Sequence, residues 1–366
     1  MPDTPLEFKP DWPDARRRHE AWWRHEVVDR VALQVTAPRN DAAQQTVPEP
    51  RDLAQRWTDP EYAIAAAEAR MAATYYGGEA FPIYVPNLGP DVFAAYLGSP
   101  LEYGEDTTWS VPIVRDWRTH PPLCLDPENR WWQLTLEMTR LAVERSQGRY
   151  LVGLTDVHSG IDALAALRDP TALCFDLYDC PDAVQAAVQA IIPVWFQIYE
   201  DPRRLIWAAD PDHGTSTWLP VWSPGRCYPV SCDFAALISP VMFRQFILPH
   251  LRAEVEWLDH AIFHLDGPDA IRHLDILFEL PEIRAIQWVP GTGSGSSMLR
   301  WLPLLRRIQA AGRGLHLSVS ATEVLPLLRE LSPEGLMLST NCRTEEEARA
   351  LLRATYGETH DSRASK

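Results

Sequence analysis

No stretch of this chain stays apolar for the roughly 20 residues that a bilayer-crossing helix requires, so a membrane span is not expected. Residues Met1 to Lys9 include Pro2, Asp3 and Glu7 and lack the apolar centre of a secretory signal. Positive charge is also short. With 34 Lys and Arg against 50 Asp and Glu the formal charge is −16, which repels nucleic acid and anionic membrane surfaces. The six cysteines, at 124, 174, 180, 227, 232 and 342, contain no CxxC pair. A chain of 366 residues needs no disulfide staples, so free thiols in a reducing compartment are the expectation. Together these absences predict a soluble, cytoplasmic protein with a small-molecule substrate and neither a nucleic-acid nor a membrane partner. If the chain self-associates, a homodimer is the expected form. There is no internal repeat, low-complexity tract or long polar linker, so one domain over residues 1–366 is expected.

The chain is rich in apolar residues (46%), enough for one large core. Its 15 tryptophans each carry an indole N–H that needs a partner when buried. They fill core contacts for the most part, with a subset able to line a wet groove. The C-terminal half is the more readable. Tyr228–Asp233 reads as a strand, and Ser239-Pro240 caps and starts a helix with apolar positions Phe243, Phe246, Ile247, Leu251, Val255 and Leu258 and a kink at Pro249. Further strands are expected over Ala261–Leu265, Arg284–Val289, Leu315–Ser320 and Gly335–Thr340. Each is followed by a helix, and Thr344 with Glu347 forms a capping box for the last one. Five strand–helix units in succession imply a parallel sheet with helices outside it. A closed barrel and an open doubly wound sheet fit this pattern almost equally. Upstream, Tyr150–Thr155 reads as a strand, Asp29–Pro38 as the first strand, and the Trp22-Trp23 segment as a capping helix. Residues 40–52 read as an exposed loop, and the tail after Gly357 as polar and frayed.

In such folds the chemistry sits at the carboxyl ends of the strands. Those ends carry Asp156 and His158, Cys232 and Asp233, His264 and Asp266, Gln287 and Trp288, Ser318 and Ser320, and Asn341 and Cys342. His264 and Asp266, at i and i+2 on a strand, share a face. With Cys342 they would make three ligands and leave one open position, as catalytic zinc requires. The bland alternatives are that Asp266 caps the following helix and that Cys342 is an apolar buried thiol. Any two of Asp156, Asp233 and Asp266 could serve as a carboxylate pair for acid–base work, with Asp233 the favoured proton carrier, or each could serve as a helix cap or a solvated loop residue. His158, Cys232, Gln287 and Trp288 are expected to contact substrate. The run Thr292-Gly293-Ser294-Gly295-Ser296-Ser297 could cradle an anion at a helix start or act as a hinge.

Several of these segments resemble one family. Ser231-Cys232-Asp233-Phe234 followed by Ser239-Pro240-x-x-Phe243-x-x-Phe246-x-x-Pro249 resembles the SPxxFxxFxxP helix of the uroporphyrinogen decarboxylase and corrinoid-linked methyltransferase superfamily. His264-Leu265-Asp266-Gly267 is similar to that superfamily's H-x-C-G or H-x-D-G segment. Asp156 with Ser159-Gly160, and Cys174 through Pro181, resemble further segments of it. The matches span about residues 150 to 352. The resemblance implies an α/β fold of (β/α)8 TIM-barrel type with an N-terminal helical extension and a barrel core over about residues 29–355. It favours the barrel, as does the lack of a GxGxxG fingerprint. It implies a methyl-group-transfer enzyme with zinc at His264, Asp266 and Cys342, and with the corrinoid carried by a separate partner protein. Asp266 stands where the methyltransferase branch has a cysteine, which hardens the site and puts a thiol acceptor in doubt. Asp29-Arg30-Val31-Ala32 replaces the arginine-rich loop of the true decarboxylases, so uroporphyrinogen is not an expected substrate. The alternatives are a lyase, decarboxylase or hydrolase of a sugar-like substrate, and a non-catalytic ligand-binding barrel.

Overall fold

The computed structural model describes residues 4–40, 49–291, 293, 295 and 297–364. Eleven strands occur among them: β1 Ala32–Pro38, β2 Thr74–Gly78, β3 Ile83–Tyr84, β4 Leu101–Tyr103, β5 Thr108–Ser110, β6 Leu151–Val152, β7 Cys227–Ser231, β8 His260–Asp266, β9 Ile283–Val289, β10 Gly314–Ser318 and β11 Leu336–Asn341. The central sheet runs β2-β1-β11-β10-β9-β8-β7. All neighbours in it pair parallel except β1 and β2, which are antiparallel. Helices fill the connections between the parallel strands, so the C-terminal half is the α/β pattern that the alternating periodicities announce.

The sheet does not close, which corrects the expectation of a (β/α)8 barrel. Among the described residues its edges are β2 and β7, and β3 and β6 form a separate two-stranded parallel pair. Local chemistry accounts for this. Ile83–Tyr84 is bounded by Pro82 and Pro86, neither of which has an N–H to extend a ladder. Leu151–Val152 is followed by Gly153, leaving only the single bridge Leu154–Thr217 to carry the pairing further. The antiparallel β2 also occupies the free edge of β1, where a barrel would place a parallel neighbour.

Two apolar layers sandwich the sheet. The larger joins the outward residues of the strands to the surrounding helices, with Leu33, Val230, Phe263, Leu265, Ile286, Trp288, Leu315, Leu317 and Leu338 at its centre. On the opposite face Ala32, Cys227, Ile262, Ala285 and Met337 are covered by Trp22 and Trp23 and by Leu219 and Val221. The capping helix is Trp12–Trp23, and Trp12, Ala15, His19 and Trp22 form its buried stripe at helical spacing. Trp22 donates its indole N–H to the Gly335 carbonyl (2.8 Å) and Trp23 donates to that of Trp222 (2.9 Å).

The expected kink at Pro249 appears as a wider turn. The backbone over Phe243–Ile247 adopts π-type spacing before the helix resumes at Leu248–Trp257. Pro249 cannot donate, so the preceding turn loosens. Thr344 accepts the N–H of Glu347 (3.2 Å), as a helix cap does, and the Glu347 carboxylate takes the N–H of Arg343 (3.1 Å). The last helix runs Glu345–Ala364, so the tail expected to fray after Gly357 is helical. Most of the loop expected over residues 40–52, and Thr292, Ser294 and Ser296 of the glycine–serine run, lie outside the described residues.

Candidate active site

The site forms where the segment after β6 meets the carboxyl ends of β7, β8 and β9. Tyr228 of β7 fixes the first part. Its hydroxyl donates to the Thr155 carbonyl (2.8 Å) and accepts the N–H of Val157 (2.8 Å), while Thr155 Oγ1 donates to the Pro86 carbonyl (2.6 Å). This holds residues 155–158 in place and brings Asp156 and His158 beside Asp233. His158 Nε2 lies 3.6 Å from Asp156 Oδ1, and its Nδ1 lies 3.5 Å from Asp233 Oδ2.

Asp162, in the first turn of the helix Gly160–Arg168, anchors the other side. Its carboxylate accepts the backbone N–H groups of Asp233 and Phe234, both at 2.9 Å, so it clamps the loop after β7 onto this helix. Behind it, Ser159 Oγ donates to Glu254 Oε1 (2.6 Å). Burial pushes Glu254 up to about 8, with Ser159 opposing and Asp162 adding. Burial, then Asp233, raises Asp162 to about 6. Burial likewise raises Asp156, against the pull of His158 and His264. For His158 burial disfavours the charge, but Asp156, Asp162, Asp233 and Asp91 outweigh it and raise its pKa. The arrangement is an imidazole set among carboxylates, whose charges favour its protonated form while burial opposes it.

β8 supplies the third side. His264 faces Gln287 of β9 in register, and its Nδ1 lies 2.7 Å from Gln287 Oε1. An amide oxygen only accepts, so Nδ1 carries the proton, and in the neutral ring the lone pair is on Nε2. The Trp218 ring meets His264 edge-on, with centroids 5.4 Å apart. Asp266 is raised by burial, and its buried Oδ1 takes no hydrogen bond. Asp233, His264 and Asp266 offer ligand atoms all within 4.8 Å of one another, and so do His158, Asp162 and Asp233. Asp233 is common to both groups and about half exposed. A cleft of about 490 Å³ opens beside it, lined by Asp91, His158, Asp162, Asp169, Asp233 and Phe234 among others.

Of the residues expected from sequence, the structure brings together Asp156, His158, Asp233, His264, Asp266 and Gln287. Three fall elsewhere. Cys342 follows β11, three strands from β8, and among the described residues it is in neither group whose ligand atoms lie within 4.8 Å of one another. It packs near Val35, Ala37 and Leu352, and burial raises its thiol. The group that the structure brings together around His264 and Asp266 holds Asp233 in the place expected for Cys342. Trp288 neighbours Gln287 on the same strand and so points to the other face, where it is buried against Trp301 (4.9 Å). Cys232 is buried behind the clamp, with Sγ 3.9 Å from Asp162, and burial pushes its thiol well up. Asp162, Glu254, Asp91 and Trp218 were not anticipated. One signal was present: Glu254 interrupts the apolar stripe Leu251, Val255 and Leu258, a place where an acid needs a reason.

Fold and site define an α/β protein with an ionisable cluster at the carboxyl ends of a largely parallel sheet. Among solved structures, one similar chain is a methyltransferase from Methanosarcina mazei, with a TM-score of 0.60 at 15% identity, over 94% of this chain and 99% of that one. At this identity the likeness is one of fold. No protein-family profile matches the chain. No curated protein sequence matches it either.

Proposed function

We propose that this protein is a methyl-transfer enzyme working at the junction of Asp156, His158, Asp233, His264 and Asp266. The observation that carries the reading is the convergence of Asp233, His264 and Asp266 on one point of a fold shared with a methyltransferase. The residues fit a divalent cation of the zinc class. His264 presents a lone pair oriented by Gln287, and Asp266 has a buried oxygen with no other partner. Bound there, such an ion would act as a Lewis acid on a substrate heteroatom. A donor set of one imidazole and two carboxylates is harder than a thiolate set and suits an oxygen or nitrogen centre better than a thiol. His158 is placed to hold or release a proton at its Nδ1 or Nε2, and Asp233 to accept one. Asp162 keeps Asp233 in reach of both. The family resemblance supports a corrinoid on a separate partner as methyl carrier.

Metal analysis of protein purified without chelator tests the reading. Close to one zinc per chain is expected, lost in His264→Ala and Asp266→Ala and kept in Cys342→Ala. Free methylcobalamin, followed by its visible spectrum, should be demethylated when acceptor is added. Asp233→Asn should slow turnover by about a hundredfold with little change in thermal midpoint, as loss of a proton-transfer group does. A second reading, a metal-free lyase or hydrolase, has one observation in its favour: His158 bridges the carboxylates of Asp156 and Asp233. Full activity after exhaustive chelation would replace the first reading by the second.

A further inference from the structure

Elsewhere in the molecule several buried or half-buried carboxylates pair with arginine. Arg18 pairs with Asp29, Arg30 with Glu79, Arg145 and Arg149 with Glu68, Arg168 with Asp176, and Arg226 with Glu200. The cleft departs from this pattern. Asp91, Asp162, Asp169 and Asp233 line it together with His158, and no lysine or arginine does. Among the described residues none of these four, nor Asp156 or Asp266, lies within ion-pair distance of a lysine or arginine. Hydrogen bonds orient the carboxylates: Asp91 accepts the Ser110 N–H (3.1 Å), Asp169 that of Ala172 (3.0 Å), and Asp162 those of Asp233 and Phe234. Asp156 Oδ1 is fully buried and accepts no hydrogen bond. The remaining wall is apolar, with Pro112, Ala165, Ala166, Pro170, Phe234 and Leu237.

From this we infer that the substrate of the cleft is a cation: a small alkylammonium compound whose charge meets Asp91, Asp162 and Asp233 and whose hydrocarbon lies on Pro112, Phe234 and Leu237. The inference rests on reading this cleft as the substrate site. A partly enclosed space strengthens each charge contact relative to open water. Carboxylates with no lysine or arginine partner favour a cation over an anion. Three of the carboxylates, Asp91, Asp162 and Asp169, are outside the Asp233–His264–Asp266 group, so an ion bound at that group would leave their charge unanswered. A volume of about 490 Å³ suits a ligand of metabolite size. Arg30 offers no counterweight, because Glu79 takes it in a bidentate pair at 2.7 and 2.9 Å.

Calorimetric titration with three shape-matched probes tests this: choline, its neutral isostere 3,3-dimethylbutan-1-ol, and the anion 3,3-dimethylbutanoate. Choline should bind saturably and at least about tenfold tighter than the neutral probe, and the anion should show no binding. The choline affinity should fall as salt is added, and again by about tenfold in Asp91→Asn and in Asp233→Asn, whose thermal midpoints report whether the fold survives. Equal affinity for choline and the neutral probe, tighter binding of the anion, or no saturable choline binding would each overturn the inference. No methyl donor is present, and the titration is repeated after chelation, so the outcome is independent of the reaction assigned above. Choline binding without any methyl transfer would remove that assignment and keep the cationic substrate. Methyl transfer to an anionic acceptor would do the reverse.

Discussion

Glu254 shows how one side chain can tie the site to the stability of the whole protein. It is buried on the helix Leu248–Trp257, accepts from Ser159 and lies behind Asp162. Its folded value of about 8 stands above the ordinary 4.5, so between these two the folded state keeps a proton that the unfolded chain has released. Stability from this group is therefore fully present at acid pH and is lost as pH rises from about 5 to 8, with a slope on the order of 1 kcal/mol per pH unit. Glu254→Gln keeps an acceptor for Ser159 and removes the titration. Urea denaturation at pH 5, 6, 7 and 8 should show the variant gaining on its parent at each step. Parallel curves would mean that Glu254 is already ionised at neutral pH. Legibility at this scale was uneven. Asp156, His158, Asp233, His264 and Asp266 could be found because strand ends are where a parallel α/β fold exposes its ionisable groups. Trp288 and Cys342 were misplaced because adjacent strand residues face opposite ways and because strand order, which separates Cys342 from His264, is not written in spacing.

At the scale of elements, Gly160 joins the segment carrying His158 to the helix that holds Asp162. It has φ +57°, and a Cβ there would lie 2.0 Å from His250 Nε2 on a neighbouring helix. Gly160→Ala should then cost at least about 2 kcal/mol, from the strained backbone and the forced shift of the imidazole. Denaturant unfolding measures it, and His250→Ala in the same chain should restore part of the loss. An unchanged midpoint would show that the turn tolerates a side chain. The C-terminal strands and helices were readable because each repeats its period several times. Beyond the capping helix and the first strand, the first 120 residues were not, since β2 to β5 span only 2–5 residues each and so short a run has no period to detect. Cooperative packing gives these strands their pairing. β2 lies along β1, and β4 pairs with β5.

For the whole molecule, the decisive feature is a sheet sealed on one face by a single helix and the loop before β7. Trp22, 2% exposed, covers Ala32, Ala285 and Met337 from that helix and satisfies the Gly335 carbonyl. Trp22→Ala opens a cavity and leaves the Gly335 carbonyl with only the Leu315 N–H (2.8 Å), so a loss of about 3–5 kcal/mol is expected, most of it from the cavity. The proposed ligand residues sit at the opposite ends of the strands, so whatever zinc the parent carries per folded chain should stay unchanged. Loss of metal in a variant that remains folded would mean that the two ends are coupled. No helix among the described residues is long and apolar enough to cross a membrane, in line with the absence of long apolar runs.

By itself, the sequence determined the alternation of strands and helices, the buried stripes, the parallel character of the sheet and the strand ends on which the chemistry rests. Each of these depends on local period and on capping or turn chemistry, which a chain carries wherever it is cut. Tertiary structure alone decided that the sheet stays open, because closure depends on whether two distant two-residue strands can reach their neighbours. It also decided that Asp233 rather than Cys342 joins His264 and Asp266, and that Asp162 and Glu254 belong to the site. These choices follow from strand order and from helices crossing behind β7, where residues nearly a hundred positions apart come within hydrogen-bonding distance, as Ser159 and Glu254 do. Which carboxylates go unpaired was equally invisible in a net charge of −16, since that sum does not say where the arginines fold.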